Sequence, residues 1–223
     1  VAIITTEPAL LRLLQLSSVG LPVGGFAYSQ GLEHAIDAGW VKDAAACEGW
    51  LDLQLRHALA RLDLAVVFRL YRALGEEDGA AVCHWNDYLL ACRETRELYL
   101  TDTAMGQALK RLLGSLGMRV PGTVDTSFVT AFSSAAWQWG IDGRACALAL
   151  AWSWLENQAA AATKLIPLGQ TRTQQMLGAL QAAIPDALDT AGALNDDSLG
   201  AGLPALALAS TLHETQYSRL FRS

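Results

Sequence analysis

Three short stretches hold residue types that could do chemistry. In "AYSQG", Ala27 to Gly31, Ser29 sits where a nucleophile elbow of the Gly-x-Ser-x-Gly kind would place its serine. The first glycine is replaced by Ala27, and no strand-like run precedes it to set up the strained turn such a serine needs. A hydrolase using Ser29 with His34 or a distant histidine is therefore a minor reading. Next, Gln30, Glu33, His34 and Asp37 recur at i, i+3, i+4 and i+7, opposite Tyr28, Leu32, Ala35 and Ile36. One imidazole and two carboxylates on that face could hold a divalent ion, and nickel binding by Glu33, His34 and Asp37 is the alternative function. The plainer expectation is a solvated or partner-contacting face. In the third stretch, "CRETREL", Arg93 lies four residues before Glu97, the spacing of an ordinary ion pair on an exposed helix.

Other chemistry is missing from the chain. A P-loop needs Gly-Lys-Ser/Thr, and no Gly-Lys dipeptide occurs, so a nucleotide-hydrolysing role is not expected. There is no Cys-x-x-Cys, no His-x-x-x-His and no carboxylate-rich calcium loop. Cys83 and His84 are adjacent and would point about 100° apart on a helix, which disfavours joint ligation. The net charge of −6 gives no broad attraction to nucleic acid.

These residues must be positioned by helices. Leu51, Leu55, Ala58, Leu59 and Leu62 follow helical spacing, and no comparable run alternates with period two. The pattern predicts an all-α, single-domain bundle over 1–223, with helices near 7–18, 25–38, 43–59, 63–74, 76–92, 94–114, 125–138, 143–164, 169–183, 185–191 and 203–215. Asp43 and Asp63 are the expected N-caps, Gly39 and Gly75 the expected stops, and Pro185 opens a helix after Ile184. Within "LPVGGFAYSQGLEHA", the glycines are expected to turn the backbone while Phe26 and Tyr28 stay packed, with Gly25 at a positive φ.

The composition is 52% hydrophobic and 17% charged, with a mean hydropathy of +0.24, so the apolar excess must be buried in a core or in interfaces. The longest charge-free apolar run without strongly polar amides, "ACALALAWSWL", is about half a membrane span, and no membrane association is expected. Cys47, Cys83, Cys92 and Cys146 are widely spread, which suits reduced, buried thiols. No secretory pattern follows Val1, and the expected location is the cytoplasm. The final stretch "HETQYSRLFRS" adds aromatics and arginines to an acidic chain, and residues 213–223 are expected to be a flexible tail that orders on a partner.

Taken in order, "LPVGGFAYSQGLE", "RETRE", "KLIPLGQ" and "HETQYSRLFRS" resemble the urease accessory proteins of the F type. The resemblance implies a non-enzymatic protein that works in assembling the nickel centre of urease. It implies three partners: a D-type (also called H-type) accessory protein, a G-type GTPase that carries nickel, and apo-urease. It also implies a homodimer within the complex. Nickel and GTP would be handled by the partners, with no cofactor bound directly and no catalytic residue here. Carried onto this sequence, the family blocks mark as partner-binding Gly24, Gly25, Ser29, Gln30 and Glu33, then Lys164, Pro167, Gly169 and Gln170, then Tyr217, Arg219, Leu220 and Phe221.

Overall fold

A computed structural model describes residues 6–121, 124–200 and 202–223. Among them there are eleven α-helices and no strand: α1 (Glu7–Leu16), α2 (Leu32–Asp37), α3 (Ala44–Gln54), α4 (Asp63–Gly75), α5 (Gly79–Ala91), α6 (Arg96–Ser115), α7 (Phe128–Gln138), α8 (Gly143–Leu165), α9 (Gln170–Gln181), α10 (Ile184–Ala193) and α11 (Pro204–His213). The all-α expectation holds, and none of the described helices is long and apolar enough to cross a membrane.

The core forms around two helices whose sequences are apolar or small almost all the way round, the pattern of an internal helix. In α7 every residue from Val129 to Ala136 is buried. In α8 a succession of alanines, among them Ala145, Ala147, Ala151, Ala159 and Ala162, lets neighbouring helices approach closely. Helices α1, α2, α3, α4, α7, α9 and α10 all pack on α8. The run "ACALALAWSWL" is thus the inside of the bundle.

The closest approach lies between α6 and the entry to α7. A Cβ on Gly106 would lie 2.0 Å from the Thr126 carbonyl oxygen and 2.8 Å from the Phe128 nitrogen, so only glycine fits there. Buried Asn86 fixes the same entry by donating to the Asp125 carbonyl (2.9 Å) and accepting from the Ser127 amide (2.9 Å).

The second segment departs from expectation. In place of one helix over 25–38 there is a 3₁₀ turn at Gly25–Ala27, an extended Tyr28 and a short α2. Left-handed backbone at Gln30 (φ 52°) and Gly31 (φ 84°) separates the two. Gln30 consequently does not share a helical face with Glu33. Glycine is required at 31 twice over, since a Cβ there would also lie 3.1 Å from the Ser210 amide nitrogen of α11. The positive φ near the start of the stretch falls at Gly24 (76°) and not at Gly25, whose Cβ would instead press on Asn157 at 3.0 Å. Phe26 is 62% exposed, against the expectation that it packs.

Helix ends follow the same mixture of agreement and departure. Asp43 caps α3 by accepting from Ala46 N at 2.9 Å, Gly39 closes α2 with φ 73°, and Pro185 lies in the first turn of α10. Asp63 does not cap α4; it is that helix's first residue, and its carboxylate is engaged elsewhere. Gly75 is the last residue of α4, with the left-handed turn falling at Glu77 (φ 55°). The helix begun by α3 runs on as one π-helical turn at Leu55–Leu59.

Candidate functional site

The end of the chain, from Leu220 to Ser223, is bonded to α2 and to the loop that precedes it. The Arg222 amide donates to the Ala27 carbonyl (2.9 Å), and the main-chain oxygen of Ser223 accepts from the amides of Ser29 and Gln30 and from Ser29 Oγ (2.8 Å). With Gln30 left-handed, the loop turns two successive N–H groups, of Ser29 and Gln30, toward one acceptor. It is a seat for another piece of chain. The Ser223 hydroxyl meets Thr101 Oγ1 of α6 at 2.6 Å, and Phe221 is 5% exposed, with Lys164 Nζ 5.5 Å above its ring.

Beneath the tail lies a buried charge cluster. His213, the last residue of α11, has Nε2 2.9 Å from Glu33 Oε2 and Nδ1 2.9 Å from Glu97 Oε2. The other oxygen of Glu97 accepts from Arg219 at 2.8 Å. Glu33 receives the backbone amides of Leu220 (2.6 Å) and Phe221 (2.9 Å). A neutral imidazole offers one donor and one lone pair, so a ring between two ionised carboxylates must donate from both nitrogens. The cluster thus ties one imidazole and one guanidinium to two carboxylates. His213 is fully buried and both glutamates are 6% exposed, so each group depends on its partners, since an unpaired polar or charged group at such depth is costly.

A second cluster lies one turn away along the same stretch. Arg93 donates to Asp63 Oδ1 (2.6 Å) and, through Nε, to Asp102 Oδ2 (2.8 Å), while Asp102 Oδ1 accepts the Phe128 amide (2.6 Å) at the entry to α7. Burial pushes the Asp102 carboxyl above the usual aspartate range, against the pull of Arg93. Burial works against the charged guanidinium of Arg93, but Asp102 and Asp63 outweigh it and hold the proton more firmly than usual.

Several expectations are corrected by this geometry. Arg93 and Glu97 do not pair on an exposed helix, because Thr95 caps α6 at its side-chain oxygen (3.2 Å from Leu98 N) and Arg93 lies outside the helix. The proposed Glu33, His34 and Asp37 metal face is dispersed: Glu33 points inward to His213, His34 meets Gln216 (3.2 Å), and Asp37 is exposed. Among the described residues no group of three or more His, Cys, Asp or Glu side chains is placed to hold a metal ion. Ser29 is fully buried with its hydroxyl committed to Ser223, so it cannot serve as a nucleophile.

Of the residues marked in the sequence, Ser29, Gln30, Glu33, Lys164, Arg219, Leu220 and Phe221 converge on the tail seat. Gly24 and Gly25 shape its loop. Pro167, Gly169 and Gln170 lie exposed at the turn from α8 into α9, just beyond Lys164. Tyr217 is fully exposed and Leu220 is 66% exposed, beside a tail that is otherwise anchored. His213 and Thr101 carry no mark of their own in the sequence, and Glu97 is marked there only as the expected pair of Arg93. The signal for His213 and Glu97 was their place inside two of the four family blocks, which single-residue chemistry did not weigh.

Residues 41–181 match the family model described as UreF. The chain is 55% identical to the urease accessory protein UreF of Marinomonas sp. (strain MWYL1), over 99% of this chain and 97% of that one. This chain belongs to the UreF family. It is likewise 50% identical to the UreF of Pseudomonas putida (strain ATCC 700007 / DSM 6899 / JCM 31910 / BCRC 17059 / LMG 24140 / F1), over 98% of this chain and 99% of that one. The UreF of Teredinibacter turnerae (strain ATCC 39867 / T7901) is 49% identical over 96% of this chain. These relatives are named as accessory proteins and not as enzymes. In this UreF-family chain the family match covers the core helices α3 to α9 and with them Glu97, Thr101 and Lys164, while the tail and the loop that receives it lie on either side of the match.

Proposed function

We propose that this chain is an adaptor in the maturation of urease, standing between a D/H-type accessory protein and a G-type GTPase during GTP-dependent nickel delivery to apo-urease. It acts in the cytoplasm as a homodimer within that complex, while nickel and GTP are held by the partners. Family membership supports the urease setting, and the absence of a Gly-Lys dipeptide supports placing nucleotide hydrolysis on another chain. The observation that carries the adaptor reading is the docked tail. It offers Tyr217, Leu220 and part of Arg219 to solvent from a backbone already fixed by Glu33 and Ser29, so a partner would meet aromatic, aliphatic and guanidinium groups without ordering the chain first.

Exposed Leu208 and Leu212 on α11 extend that surface. The test is co-purification of the full chain and of a variant truncated before residue 213 with the D/H-type protein, followed by timing GTP hydrolysis by the G-type protein. The complex should form with the full chain and fail with the truncation. An equally stable complex without residues 213–223 removes the tail from the interface, and turnover of GTP by this chain alone removes the adaptor role.

A further inference from the structure

Gln30 is held from two sides. Its main-chain N–H, with that of Ser29 and the Ser29 hydroxyl, donates to the Ser223 main-chain oxygen at the end of the tail. Its side-chain oxygen accepts from Trp154 Nε1 at 2.9 Å and from Gln158 Nε2 at 3.3 Å, two residues one turn apart on α8. Between these bonds the backbone stands at φ 52°, a left-handed conformation that glutamine seldom adopts and that its surroundings must impose. Gly31 follows at φ 84°, and the Leu32 amide closes the turn on the Ser29 carbonyl at 3.2 Å. Positive φ at both central positions of a turn suits Asn, Asp or Gly at the first of them. A glutamine at that place instead spends its longer side chain on α8.

The same loop bears on α8 a second time, since a Cβ on Gly25 would lie 3.0 Å from Asn157 Nδ2. Gln30, Trp154, Asn157 and Gln158 line one side of a cavity of about 120 Å³ that reaches Leu62 and Met105. Among the described residues none from 213 onward lines it. Gln30 and Thr101 both line the cavity and bond to Ser223. Thr101 stands within the long helix α6, whereas Gln30 stands in a loop whose backbone the tail helps to hold.

We propose that Gln30 couples docking of the tail to the α8 wall of this cavity. When residues 220–223 leave, the Ser29 and Gln30 amides lose their shared acceptor, and nothing offsets the cost of a left-handed glutamine. Gln30 then returns to negative φ, its side chain swings off α8, and Trp154 and Gln158 lose their common acceptor. Whatever draws the tail away thereby alters an interior wall that it does not touch. The coupling runs both ways, so loosening Gln30 from α8 weakens the hold on the tail. It does not depend on the adaptor reading, because any ligand of the tail would act through it.

The experiment follows the Trp154 indole N–H by NMR in the full-length chain, with Gln30→Ala as the reference for a broken bond. In full-length Phe221→Asp, whose tail is driven from its buried seat, the Trp154 indole signal should move to its Gln30→Ala position and exchange with solvent roughly tenfold faster. Trp154→Phe, which removes the indole donor without altering any tail residue, should speed exchange at the Leu220 and Phe221 amides by roughly fivefold. A Trp154 signal unchanged in Phe221→Asp while the Leu220 amide exchanges freely overturns the coupling, as does full protection of the tail amides in Trp154→Phe. Should Phe221→Asp not fold or keep its tail docked, exchange in the unaltered chain under low denaturant decides the matter. The Trp154 indole and the Leu220 amide should then open together, below global unfolding; an indole that exchanges only with global unfolding overturns the proposal.

Discussion

Arg93 and Glu97 stand four residues apart, and each anchors a buried charge cluster of different reach. Arg93 binds Asp63 and Asp102, two residues on long core helices, and through Asp102 fixes the start of α7. Glu97 binds His213 and Arg219, and so joins the body to the last residues of the chain. The inner cluster has no exit, because the helices carrying it are packed on α7 and α8. The outer cluster can open by letting the tail go, and its carboxylates then return to water. Connectivity, more than burial, thus sets the consequence: one cluster is tied to global stability, the other to a local opening.

The sharpest way to break this comparison is Arg93→Met. Two carboxylates would be left buried without a counter-charge, a loss of about 3–5 kcal/mol. At this chain length that corresponds to a drop of about 10 °C in the calorimetric midpoint. A shift under 2 °C or so would show that the inner cluster opens as easily as the outer one.

His213→Gln comes next. The cost is capped by the free energy of tail docking, so the melting midpoint should fall by only a few degrees. Hydrogen exchange at the Leu220 and Phe221 amides should accelerate by roughly tenfold or more, since Glu33, which holds them, loses its bond from the His213 ring. A midpoint as low as that of Arg93→Met would contradict the local reading. Arg219→Gln should do less still. That side chain is 37% exposed, and solvent screens its pair with Glu97 to about 1 kcal/mol or below. The Leu220 and Phe221 amides should stay largely protected while affinity for the D/H-type partner falls.

The smallest effect concerns buried groups without an opposite charge beside them. Burial pushes the Cys47 thiol up to about 11 and the Cys146 thiol up to about 12. With an unfolded value of about 8.5, the folded state binds the protons more tightly. This contribution is fully present below about pH 8.5 and is lost as pH rises through the folded values. Stability should fall gradually across that window, and Cys47→Ala should flatten the slope. Unchanged stability from pH 8 to 10 or so would show that these thiols are hydrated.

The core was legible because it rests on local spacing. The apolar character of α7 and α8 and the Asp43 cap could be read from neighbours in sequence. Gln30 could not: a non-glycine residue in the left-handed region carries no mark in composition, and its turn is imposed by Ser223 from the far end of the chain. Glu33 was read as solvated because it sits in a polar stripe, yet its partners, His213, Leu220 and Phe221, lie some 180 positions away. The Arg93–Glu97 spacing misled for a related reason. A single cap at Thr95 puts one residue in the helix and the other outside, and a spacing rule takes no account of that. The four family blocks succeeded where single residues failed because all four meet in space at the tail.

Gly106 keys α6 as a slot keys a shaft. With the Thr126 carbonyl seated where a side chain would stand, the helix can neither roll nor slide without presenting Met105 or Gln107 to that carbonyl. Glu97 and Thr101, which grip the tail, ride on the same rigid rod as Asp102, which grips the start of α7. A pull on the tail is therefore borne by α6 as a whole and delivered to the interior helix without slack.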